Sequence, residues 1–176
     1  MKKNVIIFIT ICMFLITGCT TVPTNDIQID SEVDPKAKFS GYKSYAWLGS
    51  AGIINDPDGK WKAPNFNVGN EIQFLVDREL RKRGMSETSS KPDMLVAYAL
   101  GVDMAAFKLK ENTETKSAIL ENVPKGALLV LLVDPQTEQV IWIGRATADV
   151  QKNPEMETVK KRLDYAITQM MKQIPK

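Results

Sequence analysis

Apolar residues along this chain change their spacing several times, and each change marks a predicted element. Val5 to Ile16 is a nearly unbroken apolar run. Ile27, Ile29 and Val33 then stand at nearly alternating positions among polar residues, and Tyr42 to Leu48 is rich in aromatics, so both segments predict strands. Asp56-Pro57-Asp58-Gly59 interrupts the pattern as a turn. From Val68 the spacing becomes helical: Val68, Ile72, Leu75, Val76 and Leu80 fall on one stripe, Arg78 and the basic run Arg81 to Arg83 crowd the last turns, and Gly84 follows. Cations there complement the helix dipole, and a glycine is the usual stop.

Alternation returns at Met94, Val96, Tyr98, Leu100, Val102 and Met104, a run long enough for a full strand with one face in the core. Ala97, Ala99 and Gly101 line its other face. Leu128 to Val133 and Val140 to Val150 flank Asp134 to Gln139, where Pro135 presets a turn and Asp134 can accept from the backbone two residues on, so this is a predicted hairpin. Asn153-Pro154-Glu155 predicts the start of a last helix, with Asn153 as cap and Pro154 at the first helical position. Its stripe is Met156, Val159, Leu163, Ile167, Met170 and Ile174. The polar stretches Ile53 to Ala63 and Lys108 to Lys125 read as long connections. The order strands, helix, strands, helix implies an α+β fold: a mainly antiparallel sheet with two helices packed on one face, in two layers. Residues 26–176 are expected to form one domain, large enough to bury a core without staples.

The first apolar run belongs to a different kind of segment. Lys2 and Lys3 precede it and Thr17-Gly18-Cys19 closes it, the three regions of a secretory leader over residues 1–18. A run of about a dozen residues is short of the ~20 that a membrane-crossing helix needs. Ile16-Thr17-Gly18-Cys19 resembles the lipobox of bacterial lipoproteins, in which the thiol is acylated and becomes the first residue after cleavage. The resemblance implies lipid attachment at Cys19, a short lipidated tether over residues 19–25 and a periplasmic domain. Thr20 stands where an Asp would resemble an inner-membrane retention signal, so the outer membrane is the expected address.

Maturation changes the charge and thiol content. Loss of Lys2 and Lys3 lowers the basic side chains from 23 to 21, equal to the 21 acidic ones, which leaves no electrostatic footprint for nucleic acid. Cys12 leaves with the leader and Cys19 becomes a thioether, so no thiol remains for a disulfide, a metal or a nucleophile. The chain has no histidine, which removes the commonest general base and metal ligand together.

Four blocks together resemble one family, the envelope lipoproteins carrying domain of unknown function 4136. They are Phe39-Ser40-Gly41-Tyr42-Lys43-Ser44-Tyr45-Ala46-Trp47-Leu48, Pro92-Asp93-Met94-Leu95-Val96-Ala97-Tyr98, the stretch from Asp134 and Thr137 through Ile141-Trp142-Ile143-Gly144-Arg145-Ala146, and a last helix ending in Ile174-Pro175. Ile143 departs from the Arg that often follows the Trp in similar proteins. The resemblance implies a secreted α+β domain and brings no catalytic residues.

Candidate chemistry is thin. Ser40-Gly41-Tyr42-Lys43 has the Ser-x-x-Lys spacing of acyl-serine enzymes, but it falls at a turn leading into a strand and lacks the partner motifs. Aligning Gly59 with the glycine of a calcium loop puts Ile54 and Asn65 where ligands belong, so the turn reading stands. Glu155 and Glu157 sit in a helix's first turn, where acids are stabilised by the dipole. Trp47 and Trp142 lie in apolar strands and are assigned to the core, whereas Trp61 lies in a polar loop and stays open as a ligand-stacking residue. No catalytic residue, metal site or cofactor is expected. Two functional classes remain. One is a non-enzymatic envelope module that binds a protein, peptidoglycan or lipid through the face holding Ala97, Ala99 and Gly101 or through the long connections; the other is an envelope hydrolase or transferase with carboxylates that the sequence does not single out.

Overall fold

The computed structural model of the protein describes residues 22–111, 118–151 and 154–176. The leader, Cys19 and Asn153 lie outside the described residues. Within them run β1 (Gln28–Val33), a 3₁₀ turn (Phe39–Gly41), β2 (Ser44–Asn55), α1 (Val68–Lys82), β3 (Ser86–Glu87), β4 (Met94–Asp103), β5 (Phe107–Glu111), β6 (Ala118–Asn122), β7 (Lys125–Val133), β8 (Val140–Asp149) and α2 (Met156–Met171). Six strands form one sheet in the order β1-β8-β7-β4-β2-β3, and β5 pairs with β6 in a separate hairpin.

The sheet is mixed, which corrects the mainly antiparallel expectation. β1, β8, β7 and β4 pair antiparallel, but β2 runs parallel to both β4 and β3. The reason is the helix between them: α1 carries the chain back along the sheet after β2, so the next long strand must run the same way. The connections also need correction. β2 continues through Ile53, Ile54 and Asn55, and the stretch after Lys108 holds the β5–β6 hairpin. α2 begins at Met156, with Glu155 at its cap position making no side-chain capping bond, so Pro154 precedes the helix instead of opening it.

Both helices cover the same face. Ile72, Leu75, Val76 and Leu80 of α1 and Ala166, Ile167, Met170 and Met171 of α2 join Tyr45, Met94, Val96, Tyr98, Leu128, Val130, Leu132 and Trp142 in one core. Gly144 sits where α2 comes closest: a Cβ there would lie 2.4 Å from Met170 Cγ and 2.2 Å from Trp142 Cη2. α1 approaches at Gly69, whose Cβ would meet the Tyr98 hydroxyl at 2.5 Å. At the far end of α1, Gly84 takes a φ of +79°, the left-handed conformation that ends the helix.

Polar clasps fix the layers. Asp77 on α1 accepts from the Tyr45 hydroxyl at 2.7 Å and from Trp47 Nε1 at 3.1 Å. Burial and that carboxylate push the Tyr45 hydroxyl's pKa well up, keeping it a donor. Asp93 accepts from the Lys43 and Ser44 amides, each at 2.9 Å, and from the Ser44 hydroxyl at 2.8 Å, so it fastens the start of β4 to the start of β2. The backbone donors on Lys43 and Ser44 hold its carboxyl below the usual range. Arg162 on α2 is buried and donates to both oxygens of Asp26, at 2.8 and 2.6 Å, and to the Pro23 carbonyl at 2.5 Å. Pro23 to Asp26 is therefore fastened to the domain.

Candidate functional site

Each side-chain constellation with a chemical reading occupies a structural position. Ser40 lies in the 3₁₀ turn, and the backbone is extended by Tyr42 (φ −79°, ψ 126°), so Lys43 departs along the sheet instead of returning one helical turn behind the serine. Both residues border a groove of about 550 Å³ between that turn and the C-terminal ends of the helices. Part of its charged lining is engaged elsewhere: Arg83 donates to the carbonyls of Met171, Ile174 and Pro175, and Lys82 pairs with Glu79 at 2.8 Å, while Lys43, Lys172 and Lys176 also border it. Glu79, buried on the apolar side of α1, also accepts from Arg78, which reaches Asp164 and Thr168 on α2. This cluster is a helix-to-helix strut.

Asp56 behaves as a turn residue, accepting from the amides of Lys60 at 3.0 Å and Trp61 at 2.6 Å, while Gly59 takes φ +65°. Trp142 is 1% exposed and Trp47 packs edge-on against Tyr98, with centroids 6.1 Å apart. Trp61 is half-buried at the loop after β2. Among the described residues, the carboxylates shifted from their ordinary range are Asp26, Asp30, Glu79 and Asp93, all held low by cationic or backbone donors. A carboxylic acid serving as a proton donor near neutral pH needs the opposite shift.

Ala97, Ala99 and Gly101 lie on the face of the sheet opposite both helices. Register places Ala51 and Ile53 of β2 beside Ala99 and Gly101, Leu129 and Leu131 of β7 beside Ala99 and Ala97, and Ile143 of β8 beside Leu131. The β4, β7 and β8 members of this patch are half-buried and the β2 members exposed. Neither helix covers it. Polar pairs border the patch. Arg145 and Asp30 meet at 2.6 Å on the β1–β8 side, and at one end Asn55 donates to Asp103 at 2.9 Å while Lys125 pairs with Asp149. The sequence named the three small residues but missed this setting, because the larger apolar partners and the rim come from four other strands.

The architecture defines the chain as a two-layer α+β domain with one sheet face packed by helices and the other carrying an apolar patch that polar pairs border on the β1 side and at one end. Domain of unknown function (DUF4136) matches residues 29–176, and the chain belongs to that family. A solved DUF4136 family protein from Bacteroides thetaiotaomicron is similar in fold, at 8% identity and a TM-score of 0.53, covering 82% of this chain and 95% of that one. A PDZ domain protein from Parabacteroides distasonis matches at 13% identity and a TM-score of 0.49 over 86% of this chain; the chain spans only 37% of that protein's length. A lipoprotein from Neisseria meningitidis matches at 12% identity and a TM-score of 0.35, over 74% of this chain and 98% of that one. No curated protein matches the chain. The blocks that carry the family resemblance hold the fold together: Ser44 and Asp93 clasp two strands, Tyr45 and Trp47 reach Asp77, and Gly144 admits α2.

Proposed function

We propose that the protein is a non-enzymatic binding module of the bacterial cell envelope, lipid-anchored through Cys19, periplasmic and held at the outer membrane. Its partner docks on the open sheet face around Ala97, Ala99 and Gly101. The observation that carries this reading is the arrangement of that face, with small and branched apolar side chains at the centre and the Arg145–Asp30, Asn55–Asp103 and Lys125–Asp149 pairs at the margin. An apolar centre flanked by polar pairs is in keeping with the anatomy of a protein–protein interface, and a flat strand of small residues lets a partner's backbone approach closely. A protein partner fits this chemistry better than a glycan, which needs convergent polar groups. The lowered carboxylates speak for binding over hydrolysis or group transfer.

Two substitutions test the reading at its two ends. Cys19→Ala should abolish labelling by palmitate and leave unprocessed precursor; labelling that persists contradicts the anchor. Ala99→Tyr should fail to complement a strain lacking the gene, whereas Ser40→Ala and Lys43→Ala, which sit at the groove, should complement fully. A reversed result moves the working site to the groove.

A further inference from the structure

The domain has two different ends, and the chain fixes which of them lies nearest the anchor. Pro23 is held by Arg162, so four residue steps separate it from Cys19, a reach of at most about 14 Å at ~3.3–3.6 Å per step. Register then carries that end across the sheet: Gln28, Thr147, Ala127, Gly101 and Ile53 form one continuous cross-strand row. With strands about 4.8 Å apart, Ile53 lies roughly 19 Å to the side of β1 on the same end. There β2 ends with Ile53, Ile54 and Asn55, the two isoleucines 66% and 61% exposed, and runs into a loop carrying Lys60-Trp61-Lys62.

Those residues have the chemistry of a membrane interface. Tryptophan combines a large apolar body with one polar N–H and is enriched where water meets lipid. Lysines on either side lay their stems along the apolar zone and keep their ammonium groups at the headgroups, where anionic lipids attract them. Asp58 pairs with Lys60 at 2.7 Å and the Asp56 carboxylate holds the Lys60 and Trp61 amides, so the loop is balanced in charge and Lys62 is its cation outside the ion pair with Asp58. The opposite end carries the Asp134–Gln139 turn, with Gln136 exposed.

We propose that the end of the domain bearing Ile53, Ile54 and Lys60-Trp61-Lys62 rests on the lipid surface that holds Cys19. The proposal rests on the anchor reading. It stands the strands up from the membrane and leaves the open face upright, free for a partner approaching from the side. The test uses the full lipidated protein in vesicles of phosphatidylethanolamine and phosphatidylglycerol. With Cys19 acylated no thiol remains, so Ile54→Cys and Gln136→Cys each accept one environment-sensitive fluorophore. Co-flotation with the vesicles is expected for both. The Ile54→Cys probe should show blue-shifted emission and several-fold stronger quenching by nitroxide lipids than the Gln136→Cys probe. Co-flotation with equal quenching at the two sites overturns the membrane contact and spares the anchor; failure to float overturns both. Lys60→Glu with Lys62→Glu should weaken the quenching at Ile54→Cys without loss of flotation, and unchanged quenching would contradict the part assigned to the lysines.

Discussion

Arg162→Ala is expected to cost about 3–5 kcal/mol of folding stability, the range for removing one partner of a buried ion pair. The guanidinium ties α2 to the Pro23 carbonyl and to both oxygens of Asp26, and Asp26 in turn accepts the Asp149 amide at 3.0 Å. Removing it leaves a carboxylate and a carbonyl to be solvated at the edge of the core. For a domain of this size the loss should lower the melting temperature by roughly 10 °C or more. A shift within a degree or two of wild type would mean that the clasp is incidental. The same pair sets an acid response. The hydrogen bonds from Arg162 hold the Asp26 carboxyl below its ordinary pKa, against the opposing effect of burial. A depressed pKa contributes stability that is fully present above the unfolded value and is lost as pH falls through the folded one. Asp26→Asn should therefore lose stability at neutral pH and show a flatter acid limb than wild type; melting curves taken from neutral pH down to about pH 3 read both.

Gly144→Val is expected to be nearly as severe, at about 3 kcal/mol, because overpacking a filled site forces neighbours off their rotamers. The first added carbon already falls 2.2 Å from the Trp142 ring and 2.5 Å from Met170 Sδ. Met170 can bend away, but the indole is 1% exposed and has nowhere to go. A companion Met170→Ala should recover part of the loss in Gly144→Val, since it empties the space the new side chain claims. Denaturant unfolding of the single and double variants measures that coupling, and strict additivity would contradict the close approach of α2 at this glycine.

These two residues also show how much of the fold was legible in the sequence. Helical and alternating periods located α1, α2 and the long strands, because burial of one face repeats along an element and leaves a regular trace. Arg162 was hidden inside such a trace: it lies between Val159 and Leu163 of an apolar stripe, and its partner is 136 residues away. Glu79 was hidden in the same way on α1. The parallel pairing of β2 with β4 was available in principle, since a helix between two strands is the mark of a crossover. Element order alone does not say which strands become neighbours, so the same order is compatible with an antiparallel sheet. Part of the candidate face was readable as a run of small residues, but its apolar neighbours and polar rim depend on strand order, which no local spacing encodes.

The central claim is that the face around Ala99 is open for a partner and is not a seat for some other part of the same chain. Thermal unfolding of Ala99→Tyr, run beside its complementation assay, tests this most directly. Ala99 stands on β4 between Ala51 of β2 and Leu129 of β7, on the side away from both helices. A ring added there projects on the face that neither helix covers. The account predicts an unchanged melting temperature together with loss of function; a melting temperature that falls by several degrees would show that the chain itself covers this face and would contradict the binding role.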